Sequence, residues 1–521
     1  MAGQAWPVLG SSGSAPNQCM LPGLQDAHGH VLELGWSISS VNLVGASSVQ
    51  EIIERVENYV EARPDVLADE DLWIEGLGWD QTRWSPPIFP AASDLASSRL
   101  LANRRISLRR VDVHALWLSP RALADVERGA RFPRPDQDVP GGLVVRAPDG
   151  SPTGILIDRA MEFAYAVIPS WTDEDRSRYL SAAQRSLLEV GITSVGDAAA
   201  DLDTLDFLRK RDAQGSLAVR IYGMLACPAN SARCSDEAAR RGFPLLPSPS
   251  ASNRLTVRTV KLFADGALGS WGSAMWDPYA DRPASNGLLL IPEADVQPLI
   301  QHWVDAAWQV ATHAIGDRAN SIVLDAYEAV LTSSAHEGKD LRPRVEHAQL
   351  LRLNDTARFG SLGVIASMQP THCTSDMGYV EHRIGLERSR GAYAWQSVLS
   401  AGGLLALGSD FPVELPNPMH GLYSAITRLD SQGHSPHGSK GWFPKERLTR
   451  AQALHGFTRA AAHAQFEEHI SGAIHPNFRA DLVVFDRDVM DEGRTSPSQL
   501  RAAQVLYTLV DGHVVYASTQ R

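Results

Sequence analysis

The stretch LPGLQDAHGH, residues 21–30, places two histidines at the end of an apolar run. His28 and His30 are two residues apart, and side chains at this spacing point to the same face of a β-strand. Two imidazoles on one face can bind one metal ion. The chain holds 17 histidines, so a single pair is a weak signal and needs support from elsewhere in the sequence.

That support comes from further short apolar runs that end in polar residues. His313 lies in WQVATHAIG, His347 in RVEHAQ, and Asp410 ends LLALGSD. Segments with helical periodicity separate these runs, and such alternation is typical of a parallel sheet. In a (β/α)₈ barrel the carboxyl ends of the strands form the rim where active sites lie. We therefore predict an α/β fold, a (β/α)₈ TIM barrel, with a divalent metal bound by His28, His30, His313, His347 and Asp410.

Lys261 is the unusual candidate ligand. It lies in VRTVKLFADG, with Thr259 and Phe263 on its face of the predicted strand, so we expect its side chain to point into the barrel. Burial and neighbouring positive charge would lower the pKa of its amine. A neutral amine can take up carbon dioxide to form a carbamate, whose two oxygens can bridge two metals. N6-carboxylation of Lys261 is therefore a further expectation.

The chain is too long for a barrel alone, because the stretch from His30 to Lys261 exceeds what its few βα units need. We predict a large insertion after the first strand, at about residues 50–170, containing the tryptophan-rich segment LWIEGLGWDQTRW. The predicted organisation is an irregular lead-in over 1–20, the barrel over 21–460, and a small C-terminal β module over 461–521. Asp511-Gly512 is a hairpin turn signal in this module.

The composition of the chain indicates which kinds of partner and which cellular location to expect. The net charge of −12 argues against nucleic acid as a partner. No apolar run is long enough to cross a membrane, and the first twenty residues lack a signal-peptide pattern, so a cytoplasmic location is expected. The four scattered cysteines are interpreted as reduced thiols. A small-molecule substrate is the expected partner, and oligomerisation is left open.

Taken in order along the chain, these motifs resemble the amidohydrolase superfamily, in its YtcJ-like branch, amidohydrolase family 3. The matching segments are LPGLQDAHGH, GLGWDQTRW, LRRVDVHALWLS, VKLFADGALGSWG, THAIGDRAN, RVEHAQLL, SMQPTHCTSDM, LGSDFPVE and GAIHPNFRADLVVFD.

The resemblance implies one or two divalent metals, usually zinc. His28 and His30 fall on the first-strand pair, and Lys261 on the position that is carboxylated in two-metal members. His313 and His347 match the fifth- and sixth-strand ligands, and Asp410 matches the eighth-strand aspartate. Family members usually carry more β-strands before the LPG motif, so we expect the C-terminal module to be an incomplete β-sandwich.

The expected activity is hydrolysis of an amide-like, non-peptide carbon–nitrogen bond. Metal would lower the pKa of bound water, and Asp410 would shuttle the proton. The candidate substrate-binding residues are Trp79, Asp80, His114 and His372, although such tryptophans more often belong to the core and His114 could be a structural hydrogen-bonding residue. Two alternatives stay open: a catalytically silent barrel acting in signalling or interaction, and a metal-dependent isomerase or decarboxylase.

Overall fold

The computed structural model describes residues 18–129, 131–137, 139–246 and 254–519. Its strands are β1 (Cys19–Pro22), β2 (Leu24–Gly29), β3 (Val41–Asn42), β4 (Trp73–Trp79), β5 (Arg105–Arg110), β6 (Ala115–Leu118), β7 (Gly142–Arg146), β8 (Pro152–Asp158), β9 (Ile192–Ala200), β10 (Arg220–Ala226), β11 (Leu255–Phe263), β12 (Gln309–Ala314), β13 (Arg344–His347), β14 (Ile365–Met368), β15 (Leu404–Leu407), β16 (Leu482–Phe485), β17 (Val505–Val510) and β18 (His513–Ala517).

Its helices are α1 (Val31–Ser39), α2 (Val49–Glu61), α3 (Pro64–Ala68), α4 (Ala92–Leu95), α5 (Pro120–Glu127), α6 (Glu162–Tyr165), α7 (Asp173–Glu189), α8 (Leu202–Ala213), α9 (Cys234–Arg240), α10 (Glu293–Asp305), α11 (Asp317–Leu331), α12 (Thr356–Leu362), α13 (Pro370–Asp376), α14 (Val380–Ile384), α15 (Leu386–Ser389), α16 (Trp395–Ser400), α17 (Pro418–Thr427), α18 (Arg450–His455), α19 (Ala461–Ala464) and α20 (Pro497–Arg501). Of the residues described, none belongs to a helix that is both long and apolar enough to span a bilayer.

Eight parallel strands form the central sheet, in the order β2-β9-β10-β11-β12-β13-β14-β15. Most of their residues are buried, as expected of parallel strands covered by helices. Two backbone hydrogen bonds join the ends of the first and last strands. The N–H of Asp410 donates to His28 O at 2.7 Å, and the N–H of His30 donates to Phe411 O at 2.8 Å. The predicted (β/α)₈ barrel is confirmed, and the line where β2 meets β15 is referred to below as the seam.

The carboxylate of Asp26 on β2 reinforces the seam from within. It accepts hydrogen bonds from the Ser409 backbone N–H at 3.0 Å and from the Ser409 hydroxyl at 2.7 Å. It also accepts the backbone N–H of His28 at 3.0 Å. The ends of β2 and β15 that carry candidate ligands are therefore fixed to each other.

A six-stranded sheet lies between β2 and β9 along the chain, in the order β3-β4-β5-β6-β8-β7. Its strands are parallel from β3 to β5 and antiparallel from β5 to β7. We refer to it as the inserted sheet. Its own apolar cluster contains Trp79, Trp117 and Ile106, so it has a core separate from that of the barrel. The division of the chain at about 50 and 170 stays a proposal.

The C-terminal β module is a four-stranded antiparallel sheet in the order β1-β16-β17-β18. Cys19 and Met20, which we had assigned to an irregular lead-in, lie in β1 and pair with β16. They extend because Leu21 on the same strand buries its side chain in the main core. The rest of that lead-in falls outside the described residues. Since β1 runs directly into β2, this sheet is tied to the barrel strand that carries the histidine pair.

The interpretation of all four cysteines as reduced thiols is wrong. Cys227 and Cys234 form a disulfide, with their Cα atoms 6.0 Å apart, whereas Cys19 and Cys373 are free. The chain turns back after β10 because Ala229 and Asn230 both adopt positive φ values, of 50° and 56°. No short cysteine motif marks this pairing, because it depends on how the loop folds.

Candidate metal centre

Three predicted ligands come together at the carboxyl end of the barrel. His28, His347 and Asp410 are all buried, and each offers a ligand atom within 4.8 Å of the others. His28 lies in β2, His347 ends β13, and Asp410 follows β15. His347 and Asp410 have φ values of 73° and 59°, a region that non-glycine residues seldom adopt and that is frequent at functional sites. The backbone therefore turns these two side chains towards His28 at some conformational cost.

Further histidines surround this group. The Nε2 atom of His30 lies 3.0 Å from Asp410 Oδ1. The ring of His313 lies 4.4 Å from that of His347, measured between centroids, and the His28 ring lies 4.9 Å from it. His372 stacks on the other side of His347, at 6.0 Å and nearly parallel. The structure thus brings His28, His30, His313, His347 and Asp410 into one cluster, with His372 beside it.

Several buried atoms of these side chains lack hydrogen-bond partners within the part of the chain that the structure describes. They are His28 Nε2, His313 Nε2, His347 Nδ1, His372 Nε2 and Asp410 Oδ1. Buried polar atoms are nearly always paired, because leaving one unpaired costs about 1–3 kcal/mol. Imidazole nitrogens and a carboxylate oxygen are the donors that zinc prefers. The residues present therefore fit a divalent metal ion.

The ionisation of the cluster also suits metal binding. Burial, together with nearby cationic groups, holds the pKa of His313 and of His347 well below its usual value, so both rings are neutral. Burial alone would raise the pKa of Asp410, but His28 and His30 hold it well below its usual value. Neutral imidazoles and an ionised carboxylate are the forms that bind metal.

Lys261 lies on β11 and is fully buried in the same region. Its Nζ atom sits 4.9 Å from the centre of the Phe263 ring, and its side chain lines a cavity together with His28 and His313. Burial lowers the pKa of Lys261 to about 8, although Glu346 and Asp410 oppose this change. A substantial fraction of the amine is therefore neutral near pH 8, the form that carboxylation requires.

Glu346 contacts the candidate ligand His28, and sequence reasoning missed it. Its carboxylate lies between His28 Nδ1, at 2.5 Å, and Arg344 Nε, at 2.6 Å. Burial would raise the pKa of Glu346, but Arg344 and His28 hold it below its usual range. Because the carboxylate is ionised, Nδ1–H of His28 donates to it and Nε2 is left with a lone pair for the metal. The only sequence signal was a glutamate beside His347, pointing to the opposite face of the strand.

Two cavities meet at the cluster. One of about 740 Å³ is lined by Trp36, Tyr165, Trp171 and Lys261, among others, and the second, of about 140 Å³, by Asp80, Gln349, His372 and Asp376. The residues that line both are Asp112, His114, His313, His347, Asp410 and Val413. A substrate bound across the junction would therefore have its central bond beside the candidate ligands.

The predicted substrate residues are distributed unevenly. His114 lines both cavities, and His372 and Asp80 line the smaller one. The carboxylate of Asp80 bonds Arg110 at 2.6 Å, so it also organises its own loop. Trp79 lines neither cavity: its ring is wholly buried in the inserted sheet, where Nε1–H donates to Leu108 O at 2.9 Å. Its position in β4 directs the indole into that sheet's core.

Comparison with known proteins agrees with this geometry. The chain is 33% identical over 507 residues to Protein LONG AFTER FAR-RED 3 of Arabidopsis thaliana, covering 95% of this chain and 82% of the relative. It is 27% identical to an N-substituted formamide deformylase of Arthrobacter pascens, covering 96% and 89%.

Among solved structures, an uncharacterized metal-dependent hydrolase from Pyrococcus furiosus superimposes with a TM-score of 0.67 at 27% identity, covering 91% of this chain and 88% of that one. Residues 14–516 match the model of the family described as amidohydrolase. With this match over nearly the whole chain, on a barrel whose rim collects histidines and an aspartate, the protein belongs to the amidohydrolase family.

Proposed function

We propose that this protein is a metal-dependent hydrolase that cleaves amide-like, non-peptide carbon–nitrogen bonds of small molecules. The observation that carries the proposal is the convergence of His28, His347 and Asp410, whose ligand atoms lie within 4.8 Å of one another at the junction of two cavities. Family membership and the likeness to a metal-dependent hydrolase support the same reaction class.

The residues that would hold the metal are His28, His30, His313, His347 and Asp410, and a carboxylated Lys261 would supply further oxygen ligands to a two-metal site. Zinc is the proposed metal, because the donor set is mainly imidazole nitrogen with carboxylate-type oxygen. When bound, the metal would lower the pKa of water towards 7 and polarise the substrate carbonyl. The lowered pKa of Lys261, about 8, supports its conversion to a carbamate.

Asp410 is the proposed proton shuttle. Its Oδ1 atom lies 3.0 Å from His30 Nε2, and His28 and His30 hold its carboxylate ionised, so it can receive a proton from the attacking water. The water oxygen joins the carbonyl carbon, the carbon–nitrogen bond breaks, and Asp410 passes the proton to the departing nitrogen. The products are a carboxylic acid and an amine.

The cavities favour an asymmetric substrate. The larger one has aromatic walls, including Trp36 and Trp171, and suits a bulky, partly apolar group. The smaller one has both polar and apolar walls, with Asp80, His114 and His372 as proposed contacts, and suits a small group that forms hydrogen bonds. An N-substituted formamide, the substrate named for one relative, is the first class to test.

The proposal is tested by metal content and product formation in the same preparations. The parent, His313→Ala and Lys261→Ala are purified alongside His469→Ala, a control whose side chain is 83% exposed. Elemental mass spectrometry should find one or two zinc ions per chain in the parent and control, and less in the other two variants. N-alkyl and N-aryl formamides and acetamides should release equal amounts of acid and amine, which separates hydrolysis from isomerisation or decarboxylation.

A parent that binds no metal after reconstitution with zinc would contradict the proposed centre. A metal-loaded parent that releases no amine from any of these amides would contradict the proposed reaction and favour a catalytically silent barrel. Zinc content that is unchanged in Lys261→Ala would remove the carbamate and leave a single-metal site.

A further inference from the structure

The inserted sheet brings a histidine–aspartate pair to the metal centre. His114 lies between β5 and β6, and its Nδ1 atom is 2.6 Å from Oδ1 of Asp158 at the end of β8. The backbone N–H of Asp158 also donates to His114 O at 3.0 Å. The His114 ring lies 5.3 Å from the ring of His313, measured between centroids, and it lines both cavities.

The backbone around this pair is strained on both sides. Val113 has a φ of 56°, and Asp158 has a φ of 50°. A β-branched residue with positive φ is an outlier, because its side chain collides with the backbone in that region. Such strain persists only where the surrounding structure enforces it, and it is common where a side chain must be aimed at a functional site.

Two glycines make room for the Asp158 carboxylate. A Cβ atom added at Gly266 would lie 2.5 Å from Asp158 Oδ2, and one at Gly272 would lie 2.7 Å from the same atom. Both distances are too short for any other residue type without movement of the carboxylate. The loop after β11 is therefore shaped around Asp158, whose side chain is only 1% exposed.

A purely structural role would explain only part of this arrangement. A hydrogen bond that links two parts of the inserted sheet needs only one ring nitrogen of His114, and Nδ1 forms that bond with Asp158. Across the described ranges, Nε2 of His114 makes no hydrogen bond, and the side chain is 17% exposed to the cavities. The bond to Asp158 prevents the ring from rotating, so Nε2 stays at the junction beside His313.

We propose that His114 is a catalytic residue supplied by the inserted sheet, which contacts the scissile amide of the substrate through Nε2. Asp158 is a positioning residue that acts through His114, and Gly266 and Gly272 leave the space that its carboxylate occupies. This inference rests on the proposed hydrolase function and adds a substrate contact from outside the barrel. The contact orients the amide. The reaction itself is unchanged: the water oxygen joins the carbonyl carbon, the carbon–nitrogen bond breaks, and Asp410 carries the proton to the nitrogen.

The test separates the two ring nitrogens. His114→Asn keeps a nitrogen near the Nδ1 position, where it can still bond Asp158, but has nothing at the Nε2 position. His114→Gln reaches the Nε2 position instead. We expect kcat for the best amide substrate to fall about 100-fold or more in His114→Asn, the order seen when one preorganised hydrogen bond to a reacting group is lost. His114→Gln should recover part of that loss, and zinc content should match the parent in both variants. Tm should match the parent in His114→Asn and fall in His114→Gln, which leaves the buried Asp158 carboxylate without its partner.

The role of Asp158 is tested by combination. Asp158→Asn should lower kcat in the parent and add nothing in the His114→Asn background, because it acts only through the missing Nε2. Gly266→Ala should lower kcat in the same way by displacing the Asp158 carboxylate. Gly378→Ala is the matched control, since a Cβ there meets nothing within 4 Å and its φ is ordinary, and it should behave as the parent does.

Three results would overturn the inference. An active parent whose His114→Asn variant keeps its kcat shows that Nε2 does not contact the substrate. Losses in His114→Asn that follow the loss of zinc or of Tm show a structural role, and additive losses in the double variant separate Asp158 from His114. A parent protein that hydrolyses no amide contradicts the proposed function itself. This outcome differs from the other three because it is measured on the parent and needs no variant.

Discussion

Glu346 controls which ring nitrogen of His28 faces the metal centre. The carboxylate accepts Nδ1–H at 2.5 Å, and it is itself held by Arg344 at 2.6 Å. Arg344 in turn donates to Ala27 O at 2.9 Å, on the strand that carries His28. A carboxylate behind a metal-binding histidine fixes its orientation and raises its basicity, so it contributes to affinity without touching the ion.

Glu346→Gln should therefore weaken zinc binding about 10- to 100-fold, the usual effect of losing such a partner. It should also lower the free energy of unfolding by about 3–5 kcal/mol, because the buried Arg344 loses its counter-charge. Competition with a chromophoric chelator on folded protein measures the first effect, and urea unfolding measures the second. Glu337→Gln, at an exposed position, is the control. Unchanged zinc affinity in the folded variant would show that Glu346 serves stability alone.

At this scale, sequence reasoning could find the candidate ligands and not the residues behind them. A local sequence signal marks the candidate ligands, because each lies at the end of an apolar run and can be recognised without knowing how the chain packs. These ligands are His28, His313, His347 and Asp410. Glu346 acts on His28, which is 318 residues away in the chain. Asp158 acts on His114 from another strand. Both depend on which strands become neighbours, and a pattern along the chain does not contain that information.

The loop after β10 contains a disulfide, whereas the sequence pattern predicts that all cysteines are reduced. Its disulfide joins Cys227 to Cys234, and between them Asn230 donates to Phe263 O at 3.0 Å and accepts Phe263 N–H at 2.9 Å. Phe263 lies two residues beyond Lys261 on β11. The loop therefore braces the end of the strand that carries the candidate carbamate.

Thiol titration should reveal this element directly. Cys373 is buried and its pKa is raised to about 12, while burial raises the pKa of Cys19 to about 11. The native protein should therefore react very slowly with a thiol reagent at pH 8, because the thiolate is the reactive form. Denaturation without reductant should expose two thiols, and reduction should raise the count to four. Four thiols in denaturant alone would contradict the disulfide.

Elements of the barrel were easier to predict than those of the insertion. Parallel strands alternating with helices give a repeating pattern, so runs such as residues 308–316 could be placed on a barrel. In the inserted sheet the strands change from parallel to antiparallel at β5, and β8 pairs between β6 and β7. Such pairing is set by long-range contacts, so the position of His114 beside the ligands emerged only from the fold.

Over the whole molecule, the candidate metal ligands lie on both sides of the seam of the barrel. His28 and His30 come from one side of the seam and Asp410 from the other, and His347 lies opposite on β13. Among the described residues, the hydrogen bonds that join the two sides of the seam include those of Asp26 with Ser409, of Asp410 with His28 and of His30 with Phe411. An ion that binds both sides would therefore resist the separation of β2 from β15.

Removal of the metal should destabilise the protein, and it should affect the strands at the seam more than the other barrel strands. A ligand present at 1,000 times its Kd stabilises the folded state by about 4 kcal/mol, so chelation should lower Tm by the corresponding amount. In hydrogen exchange, amides of β2 and β15 should lose more protection on chelation than those of β10 and β11. Zinc should restore both properties. Equal loss of protection in all four strands would show that the ion stabilises the barrel without acting at the seam.

The seam also has a consequence for biosynthesis. The hydrogen bonds between Asp26 and Ser409 join residues that are 383 positions apart, and β1 finds its partner β16 still later in the chain. A ribosome therefore synthesises the histidine pair several hundred residues before the aspartate. A nascent chain that has not yet reached Asp410 carries His28 and His30 without it, so we expect tight metal binding only after that stage of synthesis.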